Sequence, residues 1–186
     1  VWTLAPRAVY NASLRNQTFV SASYALTLDQ FDNRPGDKLL DSHEATARLA
    51  HAFSKATTID LRNAFSVARN PESLLAGVRI NTDQSFTQNQ FDARAVTPLS
   101  PKISGTAKFR SIFLEYRDHA LGRSLDRTEN LYGLAADYLV LPEVKAVVEF
   151  RHQDVFYAKV GELKNKRSDY VMGGVDYEVA RKLALS

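Results

Sequence analysis

The chain has no cysteine among its 186 residues. That removes thiol, zinc-finger and disulfide chemistry, and it fits a protein maturing in an oxidising periplasm as well as a cytosolic one. There is no run approaching the roughly 18 consecutive apolar residues that a membrane-spanning helix needs, so helical spans are excluded. There is no basic stripe either. The 24 Lys and Arg are interspersed with 21 Asp and Glu, for a formal charge of +3, and nucleic acid is set aside as a partner. Val1-Trp2-Thr3-Leu4 lacks the basic start and apolar stretch of a leader, so export requires a leader already removed. What is present is 45% hydrophobic residues with a slightly negative mean hydropathy, which is enough apolar material to avoid disorder.

Short turn-like clusters recur roughly every 40 residues along the chain. They are Ser13-Leu14-Arg15-Asn16, Ser54-Lys55-Ala56, Ser100-Pro101-Lys102, Leu141-Pro142-Glu143 and Ala180-Arg181-Lys182. Longer polar segments lie between them at 31–41, 69–85, 117–127 and 154–167. These carry Arg34-Pro35-Gly36-Asp37, Asn70-Pro71-Glu72, Leu121-Gly122-Arg123 and Lys164-Asn165-Lys166-Arg167, the composition of surface loops. Short turns alternating with long loops put all tight connections at one end of a meander, the layout of outer-membrane barrels.

The intervening segments alternate with period two. Val20, Ala22, Tyr24, Leu26 and Leu28 oppose Ser21, Ser23, Thr27 and Asp29. Ile59, Leu61, Phe65 and Val67 oppose Thr58, Asp60, Arg62 and Ser66, with Asn63 the exception on the apolar side. The pattern predicts strands over about 8–13, 17–30, 42–53, 57–68, 86–98, 103–116, 128–140, 144–156 and 168–179, with another opening at Leu183. Most exceed the five or six residues usual in soluble sheets and match the roughly 9–11 that a tilted membrane strand needs. Aromatics such as Tyr24, Phe65, Phe109, Tyr132, Tyr138 and Phe150 lie on the apolar face or near strand ends, as interfacial girdles do.

The polar face carries charge on nearly every long strand, acids and bases alternating between neighbours as cross-strand partners would. The expected fold is therefore all-β: an antiparallel up-and-down transmembrane β-barrel with about nine or ten strands present. Residues 1–186 form a single β-barrel region, read as a fragment of a longer chain whose complete barrel has an even 12 to 18 strands. Asp60, Arg62, Asp92, Arg94, Lys108, Arg110, Glu149 and Arg151 are the expected pore-lining groups of a mixed-charge aqueous lumen.

Tyr24-Ala25-Leu26-Thr27-Leu28-Asp29-Gln30-Phe31-Asp32-Asn33-Arg34, then Asp41-Ser42-His43-Glu44, then Asn89-Gln90-Phe91-Asp92-Ala93-Arg94 before Leu99-Ser100-Pro101-Lys102, give the chain a resemblance. It resembles the porin-2-like β-barrel porins of Gram-negative bacteria, especially those related to outer-membrane proteins of exopolysaccharide operons. The resemblance covers nearly the whole chain. It implies a Gram-negative outer-membrane location, outer-membrane lipids as partners, and help in passing or retaining secreted polysaccharide with other secretion components. It supplies no catalytic motif.

Residue by residue, no catalytic group or cofactor is expected. His43, His51, His119 and His152 lie far apart and none has metal-ligand spacing with another. His51 and His152 fall on apolar faces near strand ends, where an interfacial position is expected. A lipase-like site on the outer face would need a serine beside His152. Ser66 and Ser111 are conceivable, but no nucleophile elbow singles either out, so the chain is not expected to be an enzyme. Asp29, Asp32, Asn33 and Asp37 lack the ligand ladder of a calcium loop. Asn11-Ala12-Ser13 and Asn16-Gln17-Thr18 are chance sequons. The function expected is an outer-membrane channel for polar solutes or secreted polysaccharide. The alternative is a non-conducting structural or adhesive barrel, or a soluble β-sandwich binding module.

Overall fold

The computed structural model describes residues 1–14, 17–32, 38–69, 74–75, 78–79, 84–158, 164–180 and 183–185. The turn residues Arg15, Asn16, Arg181 and Lys182, the loop residues Asn33 to Asp37 and Asn70 to Glu72, and the side chain of Glu178 lie outside this description.

Alternation turns directly into strands. β1 (Trp2–Leu4) and β2 (Arg7–Leu14) pair with opposite ends of β3 (Thr18–Gln30) and act as one interrupted strand. The interruption is Ala5-Pro6: proline has no amide hydrogen for the ladder, and the Pro6 carbonyl instead accepts from the Leu26 amide at 3.1 Å. The meander continues through β4 (Leu39–Ala52), β5 (Thr58–Ala68), β8 (Phe86–Ser100), β9 (Ile103–Tyr116), β10 (Arg127–Leu141), β11 (Val144–Tyr157), β12 (Lys166–Ala180) and β13 (Leu183–Leu185). Every strand pairs antiparallel with its neighbour in this order. β6 (Leu74–Leu75) and β7 (Val78–Arg79) form a separate two-stranded sheet within the connection from β5 to β8. The fold is thus all-β, antiparallel and up-and-down, and among the described residues the large sheet has ten strands once β1 and β2 are counted together.

Two of the tight turns share one device. The Ser54 hydroxyl accepts from the amides of Ala56 and Thr57 at 3.2 and 2.9 Å, and the Ser100 hydroxyl from those of Lys102 and Ile103 at 3.3 and 3.1 Å. A serine that satisfies the turn amides two and three residues on is why these clusters reverse the chain so tightly.

The long connections hold more order than their composition predicts. In the 117–127 loop, Asp118 caps α1 (His119–Leu125), accepting from the Ala120 and Leu121 amides at 2.7 and 3.0 Å. Asp126 then ties the loop down by accepting from the Tyr116 amide at 2.7 Å. A Cβ at Gly122 would stand 2.7 Å from the Asp126 carboxylate, so a side chain there would push that carboxylate off the Tyr116 amide. The predicted loops at 31–41 and 154–167 are shorter than expected, since β4 already begins at Leu39, β11 continues to Tyr157 and β12 begins at Lys166.

Among the described residues no second sheet lies against the large one, and the substantial strand contacts run between ladder neighbours. A soluble sandwich needs two such layers to bury its apolar faces. Among the described residues only Leu40 and Leu114 are buried apolar ones, whereas Leu134, Val148 and Val171 are 65%, 58% and 77% exposed. The charged side is the better covered one: Glu149 is 9% exposed.

Candidate functional site

Register brings the eight charged residues singled out in the sequence onto one face. Straight across the ladders, Arg48, Arg62, Asp92 and Arg110 share a row on β4, β5, β8 and β9. The next row toward the short turns holds Asp60, Arg94, Lys108, Gly133 and Arg151 on β5, β8, β9, β10 and β11. Glu149 lies one row further, opposite Ala135. Asp60, Arg62, Asp92, Arg94, Lys108, Arg110, Glu149 and Arg151 together line a recess of about 440 Å³.

The alternation of acids and bases expected from sequence holds at three directly opposed pairs, Asp60 with Arg94, Arg62 with Asp92 and Asp92 with Arg110, and fails at two. Two directly opposed pairs are like-charged, Arg48 with Arg62 and Arg94 with Lys108, an arrangement that destabilises a sheet unless the charges find other partners. They find them diagonally or along a strand. Asp60 takes Arg48 Nη2 at 2.6 Å from β4 and Arg62 Nη2 at 3.0 Å from two residues along β5. Asp92 takes Arg110 directly across the ladder. Glu149 takes Arg151 Nε at 2.8 Å and Lys108 Nζ at 3.0 Å.

The last contact crosses a whole strand. Lys108 is on β9 and Glu149 on β11, and between them on β10 stands Gly133, directly opposite both Lys108 and Arg151. A Cβ at Gly133 would lie 3.4 Å from both Glu149 Oε1 and Lys108 Cβ. The missing side chain therefore leaves the corridor along which the lysine reaches its carboxylate. Sequence reasoning singled out the charges and missed this glycine, whose only signal was a small residue at a polar-face position between charged strands. Arg48, outside those eight, joins them through Asp60, and its guanidinium carbon lies 5.8 Å from the centroid of the Phe19 ring.

The opposite face carries an aromatic ladder. Ring centroids step from Phe91 to Phe109 at 6.3 Å, to Tyr132 at 5.1 Å and to His152 at 6.3 Å. Such pairs contribute about 0.5–1.5 kcal/mol beyond their buried area. Two polar sets interrupt this face toward the long loops. His43 shares a hydrogen bond with the Tyr24 hydroxyl through Nδ1 at 2.7 Å and donates through Nε2 to Asp41 at 2.9 Å, and Arg69 pairs with Asp41 at 3.0 Å. His152 lies 2.7 Å from Asp169 and 3.2 Å from Asp154, whose carboxylate is 3.2 Å from Arg167. In both sets the aspartate stands two residues nearer the long loops than the histidine.

The lipase-like pairing finds no geometry. Ser66 is opposite Glu44 and Gln88 on the charged face, away from His152, and both ring nitrogens of His152 face carboxylates. His51, also on the apolar face, contacts the Thr18 hydroxyl through Nδ1 at 2.7 Å. Asp29 accepts from the Thr3 hydroxyl. Among the described residues no group of three or more His, Asp or Glu is arranged to hold a metal.

No family model matches the sequence, and no curated protein matches it. Among solved structures the chain is similar to the NanC porin in its rhombohedral crystal form, with a TM-score of 0.47 and 12% identity, over 95% of this chain and 94% of that one.

Proposed function

We propose that the chain forms the wall of an outer-membrane β-barrel whose apolar face meets lipid and whose charged face lines a water-filled passage for polar solutes. The observation that carries this reading is the inverted burial: Val171 is 77% exposed while Glu149 is 9% exposed. Covering a large apolar side chain contributes about 1.5–3 kcal/mol, so a face left this bare in water forgoes what acyl chains would supply.

Strand geometry supports the same orientation. The row through His43 passes Val67, Thr87 and Glu115 and, one residue past the β10 ladders, reaches Ala158, whose amide donates to the Asp126 carbonyl at 3.1 Å. His152 lies six residues back along β11 (158 − 152), after five strand-to-strand steps. With a rise of about 3.3 Å per residue and spacings of about 4.8 Å, the line joining the two His–Asp sets runs at about 40° to the rows. Strands of outer-membrane barrels tilt by about 35–45°, so both polar sets fall at one height, where hydrocarbon gives way to headgroups. The reading also requires that both sheet edges be satisfied. Among the described residues no ladder joins β2 to β13, and each unpaired backbone group in hydrocarbon costs several kcal/mol, so the edges meet each other or further strands of a larger barrel.

The porin-2-like resemblance extends the reading to secreted polysaccharide as a solute and to outer-membrane lipids and secretion components as partners. The rival role is a non-conducting structural or adhesive barrel. Conductance in planar bilayers separates the two: discrete ion-conducting steps support the channel, and silence at all voltages removes it. A protein that stays soluble and monomeric without detergent removes the membrane reading altogether.

A further inference from the structure

We propose that the central belt of the charged face is an anion-selecting site, favouring small solutes that carry carboxylate, sulfonate or phosphate groups. This deepens the channel reading and rests on it.

The first argument is where the charge lies. Arg48, Arg62, Arg94, Lys108, Arg110 and Arg151 occupy two adjacent rows of the ladders, and among the described residues these rows and the next one toward the short turns hold only three carboxylates, Asp60 and Asp92 in the two rows and Glu149 in the third. The belt therefore carries six positive charges against three negative ones, a formal +3. Removing those six and three from the chain's 24 basic and 21 acidic residues leaves 18 of each. The whole formal excess of the protein is concentrated in one band, and the rest of the chain is balanced.

The second argument is how the cations are held. All three carboxylates are already engaged, Asp60 and Glu149 by two cations each and Asp92 by one. Arg94 makes no ion pair among the described residues: Asp60 stands directly opposite it on β5 but takes Arg48 and Arg62 instead, and its directly opposed neighbour on β9 is another cation, Lys108. Like charges directly opposite one another cost stability in a sheet, and purely structural ion-pair packing would place an acid there. Arg94 and its neighbours face the recess of about 440 Å³ that they line. A cleft lined by excess charge of one sign with low-dielectric walls focuses the field and raises the local concentration of oppositely charged solute.

The test reads the belt in two ways, one of which needs no conductance. In a planar bilayer bathed by unequal potassium chloride, the reversal potential is expected to lie toward the chloride equilibrium value and to move toward zero in Arg94→Gln. A conducting protein whose reversal potential sits at zero or toward potassium overturns the proposal while leaving the channel intact. Independently, Ala135→Cys places a thiol beside the belt in a chain that has no other. In detergent-solubilised protein an anionic methanethiosulfonate is expected to modify it faster than a cationic one of similar size. That preference is expected to shrink in high salt and on adding Arg94→Gln. Equal rates, or faster reaction of the cationic reagent, overturn the anion site even if the bilayer is silent, whereas silence with an anionic preference removes the channel alone.

Discussion

Adjacent residues on β10 and β11 live in opposite worlds. Leu134 and Val148 lie on the face with the aromatic ladder and are 65% and 58% exposed, whereas Glu149, next along the chain from Val148, is 9% exposed under Lys108 and Arg151. In a water-soluble sheet the charged face would be the open one and the apolar face would be packed. The difference shows that the usual pairing of polarity with exposure is reversed on one continuous sheet, and that side chains on the charged face cover one another through ion pairs instead of apolar packing.

The largest effect is expected from moving charge to the wrong face. Leu134→Lys should cost about 2–4 kcal/mol in lipid, because a lysine near mid-strand on the face that the proposed function sets against acyl chains is expensive there. Ala135→Lys, one residue on and facing Glu149 across the ladder, should change stability little. Urea titration of protein refolded into phosphatidylcholine vesicles compares the two, and equal costs would remove the distinction between the faces. Next comes Glu149→Ala. It leaves Lys108 and Arg151 without their shared carboxylate and should cost about 1–3 kcal/mol in the same titration.

Gly133 gives a smaller and more specific effect. Gly133→Ala should be tolerated because its Cβ meets ordinary contacts of 3.4 Å, while Gly133→Leu fills the corridor and should cost up to about 1 kcal/mol as the Lys108–Glu149 pair is lost. If Gly133→Leu adds its full cost to a Glu149→Ala background, the corridor is not what the glycine provides. The smallest effect is expected at the turns. Ser100→Ala removes an acceptor for two exposed amides and should cost about 0.5 kcal/mol, with no change in which face meets lipid.

The strands were legible because period-two alternation is a local signal: β5 and β9 fall where Ile59 to Val67 and Ile103 to Phe109 alternate. Ser54 and Ser100 marked their turns for an equally local reason, each satisfying amides two and three residues on. The helix α1 was less visible, since Asp118 as a cap depends on a loop whose composition otherwise reads as irregular, and seven residues carry little periodicity. Pairing partners were not legible. Which charges meet depends on register between strands distant in the chain, and a one-residue slip would send every side chain to the other face. Hence alternation suggested opposite charges facing each other, which holds for Asp92 and Arg110, while the ladders set Arg48 against Arg62 and Arg94 against Lys108 and left Arg48 and Lys108 to find their carboxylates diagonally. The role of Gly133 was hidden for the same reason, because it exists only once Lys108 and Glu149 are known to flank it.

The absence of cysteine makes the decisive measurement clean. Single cysteines placed in turn from Thr128 to Val140 along β10, in protein reconstituted into vesicles, can be probed with a water-soluble thiol reagent and with a lipid-confined quencher of an attached fluorophore. The account predicts strict alternation, with positions 132, 134, 136 and 138 quenched from the lipid and positions 133, 135 and 137 modified from water. Water access at both sets, or lipid contact at neither, would contradict it.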